Sequence, residues 1–214
     1  QCLGDVASAL SNLSIAKENQ NLILKEQGLR PILKLLSSSL KYCQISACRV
    51  LHRLALSETG RNRIRKEEYG PEELVAISQS SNTDVSRFAL MSICNLMLDE
   101  AYQIIFSKLN CIPALISVLQ QSTIECKKLA LMTICNMTAN YSNKLFVLKS
   151  GALPYILQEM SSIDYSCKLY ATMAFSNLAS NDVTRKLMVD SQCIARLTET
   201  AFAETEKVEL YRAG

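Results

Sequence analysis

The stretch Ala130-Leu-Met-Thr-Ile-Cys-Asn136-Met137 decides the fold, because the chain writes it repeatedly. Ala89-Leu-Met-Ser-Ile-Cys-Asn95-Leu96 precedes it and Ala171-Thr-Met-Ala-Phe-Ser-Asn177-Leu178 follows it. Ala47-Cys-Arg-Val-Leu-His-Arg53-Leu54 and Ala9-Leu-Ser-Asn12-Leu13 are looser copies. The position of Asn136 thus recurs at Asn12, Arg53, Asn95, Asn136 and Asn177, in steps of 41, 42, 41 and 41 residues. A fixed period of this length marks stacked supersecondary units that bury their apolar faces on one another.

Outward from that position, small residues stand six before it (Val6, Ala47, Ala89, Ala130, Ala171, with Ala213 starting another copy) and larger apolar ones two before it (Leu10, Leu51, Ile93, Ile134, Phe175). Helical spacing puts both columns on the buried side of one long helix. In the period ending at Asn136, residues 99–108 form a short amphipathic helix, Asn110-Cys-Ile-Pro113 a turn, and residues 114–121 a second helix. Thr123 then caps a third, running to about residue 139. The turn returns as Gly28-Leu-Arg-Pro31, Glu68-Tyr-Gly70-Pro71, Gly151-Ala-Leu-Pro154 and Gln192-Cys-Ile-Ala195, with Gly or Asn supplying positive φ and Pro entering the next helix. Pro31 lies 19 residues after Asn12, but Pro71, Pro113 and Pro154 lie 18 after theirs, so one extra residue is expected in the first copy. The expected architecture is all-α: full repeats at about 14–56, 57–98, 99–139 and 140–180 between partial ones at 1–13 and 181–214. With both ends inside third helices, an excerpt of a longer chain is expected.

The net charge of +3 is too small to argue for nucleic acid, and the expectation that aromatics sit in apolar columns leaves none interleaved with cations to stack bases. Nine cysteines, an odd number without a Cys-x-x-Cys pair, read as buried thiols in a reducing compartment, so the cytoplasm or nucleus is expected. No run of eighteen apolar residues or secretory leader is visible. Asn12-Leu-Ser and Asn136-Met-Thr match the glycosylation pattern only because the repeat places them there. One histidine, His52, and no phosphate loop or His-Glu-x-x-His motif leave catalysis, cofactor and metal without a candidate residue set; His52 reads as a packed or hydrogen-bonded side chain.

The Ala-x-x-x-Ile/Leu-x-Asn-Leu helix, the Gly-x-x-Pro turn and the period together resemble the armadillo repeat family. The resemblance implies a right-handed superhelix whose third helices line a concave groove. It also implies that Asn12, Asn95, Asn136 and Asn177 bond the backbone of an extended partner peptide, since an amide both donates and accepts. Importin-α-type members carry Trp four residues before each groove Asn. This chain has Ser8, Arg49, Met91, Met132 and Met173 there and no Trp, so it is similar to a general, β-catenin-like scaffold instead. Asn140-Tyr-Ser-Asn-Lys144 resembles a β-catenin-like segment whose Lys takes an acidic partner residue.

Arg53 replaces the second asparagine with Arg49 one turn earlier, and Arg87 and Lys128 lie two turns before their own asparagines. Arg61, Lys144 and Arg185, eight after the recurring position, are expected in loops bordering the groove. These cations point to an acidic, extended protein ligand anchored near Arg49 and Arg53. Competing readings give the asparagines to helix-end backbone groups, the arginines to solvent or neighbouring repeats, and the methionines to packing. The expected function is a non-catalytic interaction scaffold. Two alternatives are a targeting region of a larger protein whose catalytic domain lies elsewhere, and a module self-associating through exposed terminal repeats.

Overall fold

The computed structural model describes residues 2–67, 69–189, 193–195, 197, 198 and 201. Among them the regular structure is helical throughout. After α1 (Cys2–Leu13) come α2 (Lys17–Lys25), α3 (Leu29–Lys34, continued by a 3-10 turn, Leu35–Ser37) and α4 (Lys41–Ala55). Then follow α5 (Glu58–Arg65), α6 (Pro71–Ser78) and α7 (Thr83–Leu96), and α8 (Glu100–Lys108), α9 (Ile112–Gln121) and α10 (Ile124–Ala139). The last triplet is α11 (Tyr141–Lys149), α12 (Leu153–Glu159) and α13 (Tyr165–Ala179), and α14 (Asp182–Val189) begins another. The third helices stack in sequence, α1 on α4, then α7, α10 and α13. The result is an all-α solenoid.

The alanine column shows why the layers stack. Ala47, Ala89, Ala130 and Ala171 are at most 1% exposed, and their small side chains let neighbouring helices approach closely. Leu51, Ile93 and Ile134 fill the space behind them. Val6, in the first layer, is 51% exposed because no described layer precedes it. Helix starts are set by side-chain caps: Asn82, Thr123 and Asp164 accept backbone N–H bonds at α7, α10 and α13, and Ser57, Asp99 and Asn140 do so at α5, α8 and α11.

Two details of the connections differ from expectation. The left-handed residue of the first turn is Gln27 (φ 57°), not Gly28, which is right-handed helical. Gln27 thereby matches Asn110 (φ 51°) and Gly151 (φ 80°), each fifteen residues after its recurring position. Helices α3, α9 and α12 then all start two residues later, so the first copy has no extra residue. Pro31 merely sits one place deeper in the first turn, where the backbone N–H has no intrahelical acceptor anyway. The extra residue belongs to the second copy, whose α6 starts one place later, and accounts for its 42-residue step. The positive φ there falls on Gly70 (133°), whose N–H Glu73 accepts at 2.9 Å.

The positions eight after the recurring one are helical, not loop: Arg61 lies in α5, Lys144 in α11 and Arg185 in α14. A cap placed just before each helix brings these residues into its first turns, beside the end of the preceding third helix. There all but Lys144, which donates to Ser180 Oγ instead, satisfy its unpaired carbonyls. Gln20 donates to Ser14 O (2.9 Å), Arg61 to Ala55 O (2.9 Å), Gln103 to Met97 O (2.9 Å) and Arg185 to Ala179 O (3.0 Å). Each acceptor is the second residue after the recurring position. Gly60, one before Arg61, lies so close to the end of α4 that a Cβ would stand 1.9 Å from Leu54 O.

Candidate functional site

The third helices α4, α7, α10 and α13 turn the same four positions outward: the recurring residue and those four, eight and twelve before it. An i, i+4 series forms one ridge on a helix. The ridge reads Lys41, Ile45, Arg49, Arg53 on α4; Thr83, Arg87, Met91, Asn95 on α7; Ile124, Lys128, Met132, Asn136 on α10; and Tyr165, Leu169, Met173, Asn177 on α13. All are half-buried or exposed, so the stacked ridges make one continuous face.

The recurring residues also tie the layers together. Arg53 Nη1 donates to Ser11 O (2.5 Å) and Ser14 Oγ (2.8 Å) of the layer before. Asn95 Nδ2 donates to His52 O (3.0 Å) and lies 2.8 Å from His52 Nδ1. Asn177 Nδ2 reaches Cys135 O (3.4 Å) and Thr138 Oγ1 (3.3 Å), and Asn136 Nδ2 contacts Cys94 Sγ at 3.7 Å. The acceptors keep the register, one residue before and two after the preceding recurring position. Every one of these bonds leaves through nitrogen, so the Oδ1 atoms of Asn95, Asn136 and Asn177 take no hydrogen bond from the described residues. Asn12 is exposed, and its amide makes no hydrogen bond among them.

The cations divide by their partners. Arg49 and Arg87 both place a guanidinium 4.5 Å from the centre of the half-buried Phe88 ring, a cation–π geometry. Arg87 is also paired with Asp84 (2.7 Å) and Glu125 (3.5 Å), and the Asp84 hydrogen bond leads in raising its pKa. Arg49 has no carboxylate within ion-pair distance among the described residues. Burial, then the charge of Arg49, pushes the Arg53 guanidinium below its usual value. Two uncompensated positive charges therefore share one helix turn of α4. Lys128 stands on the α10 ridge without an ion pair among the described residues. Lys144 is not on the ridge: it is buried on α11, donates to Ser180 Oγ at 2.7 Å and lies 6.0 Å from the Tyr141 ring centre.

Met91 and Met132 are half-buried ridge residues, and Met173 is 45% exposed. Aromatics are not confined to apolar columns. Tyr42, Tyr69, Tyr141 and Tyr165 are exposed because they fall at helix starts and turns, away from the columns that stack. Sequence reasoning missed Phe88, Tyr165 and Leu169; extending the spacing of four further back from each asparagine would have found the last two. His52 keeps a pKa below its usual value, chiefly through burial. Cys43, Cys48, Cys94, Cys111, Cys126, Cys135, Cys167 and Cys193 are free and buried, and burial pushes Cys48, Cys111 and Cys167 to about 12. Among the described residues no cluster of His, Cys, Asp and Glu could hold a metal, and no single helix is long and apolar enough to cross a membrane.

No family model and no curated protein matches this sequence. Solved structures do match. A computationally designed armadillo repeat protein for modular peptide recognition aligns with a TM-score of 0.84 at 18% identity, covering 91% of this chain and 84% of its own. The fold is of armadillo type. A second designed armadillo repeat protein, in complex with the peptide (KR)4, aligns with a TM-score of 0.81 at 17% identity over 92% of this chain and 82% of that one. An engineered protein at 21% identity gives a TM-score of 0.84 over 92% of this chain but 49% of its own. In this armadillo-type solenoid the ridge face is the one formed by the third helices.

Proposed function

We propose that the chain is a non-catalytic scaffold that holds an extended, acidic segment of a partner protein along its third-helix face. The observation that carries this is Arg49: a guanidinium fixed over Phe88, beside a second arginine, with no acidic group of its own. A carboxylate docking there would meet an oriented, partly desolvated cation and two-point hydrogen bonding. The free Oδ1 atoms of Asn95, Asn136 and Asn177 suit the backbone N–H groups of an extended chain whatever its side chains. The designed neighbour's peptide is basic; the ridge cations here favour the opposite charge. Buried free thiols fit a reducing compartment, cytoplasm or nucleus.

Arg49→Glu is the test, because among the described residues the partner of Arg49 is a ring face, while Arg53 also holds the preceding layer. A labelled Glu/Ser peptide of about twelve residues should bind the wild type, bind less tightly as salt rises, and lose about tenfold or more in affinity to Arg49→Glu at unchanged circular dichroism. Equal binding by the variant, or tighter binding of a Lys/Ser peptide or of oligouridylate, overturns the proposal.

A further inference from the structure

The third-helix face changes character along its length. The α4 ridge carries three cations, α7 and α10 one each, and α13 none. In their place α13 presents Tyr165, Leu169 and Met173, which are 76%, 39% and 45% exposed and spaced four apart on one side of the helix. Met132 holds the same place on the α10 ridge as Met173 on α13, and Asn177 ends the α13 ridge itself. Arg87 is already neutralised by Asp84 and Glu125, which concentrates the unmatched charge on α4.

We propose that the ligand is bipartite: acidic where it crosses α4 and bearing a bulky apolar side chain where it crosses α13, with the two anchors about eight residues apart. The inference rests on the acidic reading above and adds the second anchor and the spacing. Three layer steps separate α4 from α13. At about 8–10 Å per packed helix pair they span about 24–30 Å. An extended chain rising about 3.3 Å per residue covers that in about eight residues. A side chain set among Tyr165, Leu169 and Met173 leaves water against flexible and aromatic surface, whereas an acidic one there would find no cation on its ridge.

The test uses the full chain and peptides with a Glu pair and a Phe separated by about four, eight or twelve Gly/Ser residues, in both orders, each beside its Phe→Ser control. Phe should raise affinity about tenfold at a spacing near eight in one order, and little at four. The gain should vanish in Leu169→Ser/Met173→Ser, whose exposed side chains make the exchange tolerable, while the Glu-dependent part persists. If acidic peptides bind but Phe adds nothing at any spacing in either order, the bipartite ligand is wrong and the acidic scaffold stands. If no acidic peptide binds, both fall. Because the peptide series reads out on the wild type, the result does not depend on the variant folding.

Discussion

The boundary between α1 and α4 and the boundary between α10 and α13 are closed by the same bonds from different residues. At the first, Arg53 reaches the Ser11 carbonyl and the Ser14 hydroxyl; at the second, Asn177 reaches the Cys135 carbonyl and the Thr138 hydroxyl. The acceptors are in register, and the donors are not equivalent. Asparagine gives its nitrogen to the stack and keeps an oxygen that no described residue bonds. Arginine gives one nitrogen, keeps further donors, and has no acceptor to offer. A layer closed by asparagine can thus take a backbone N–H from a ligand, whereas the arginine layer can take only an acceptor. One position in the repeat therefore locks the stack and would set the polarity of any ligand laid on it.

The largest effect on this comparison should come from Arg53→Ala. It leaves a buried hydroxyl and a carbonyl without their charged donor and should cost about 2–3 kcal/mol in urea unfolding. Asn177→Ala removes longer, uncharged bonds and should cost about 1 kcal/mol by the same measurement. Equal losses would mean that the two donors are interchangeable. The smallest effect is a pH dependence confined to the α4–α7 boundary. His52 Nδ1 faces the Asn95 Nδ2 donor, and its folded pKa lies below the usual 6.5, first through burial and then through the Arg53 charge, against an opposing hydrogen bond to the Met91 backbone. The folded state therefore favours the neutral ring. Its contribution is complete above pH 6.5, declines as pH falls through the folded pKa, and levels off below it. His52→Gln should flatten that part of the stability profile; an unchanged profile would assign the dependence to other groups.

The period and its columns were legible in the sequence because stacking demands one small residue and one large one at fixed places in every copy. Ala89, Ala130, Leu51 and Ile134 are buried where their spacing puts them. The site was only partly legible. The outward face is an i, i+4 series, and its recurring end showed in the sequence while its beginning, Tyr165 and Leu169, did not repeat in kind. Beyond the local Arg87–Asp84 pair, partners of the cations come from other layers: Arg87 meets Glu125 38 residues away and Arg53 meets Ser11 42 residues away. No local pattern reports such distances. The place of the extra residue is hidden for a related reason: proline is no fixed marker, because the first helical turn accepts it at more than one place.

The capping of α1, α4, α7 and α13, though not α10, by a residue from the first helix of the next triplet puts the mechanics of the molecule out of phase with its text. Gln20, Arg61, Gln103 and Arg185 weld the end of one written unit to the beginning of the following one. No side-chain bond of this kind joins the first and second helices of a written unit among the described residues. A solenoid hinged there would flex or peel in blocks that begin and end mid-repeat, and a chain cut at the apparent borders would lose its welds while keeping its joints.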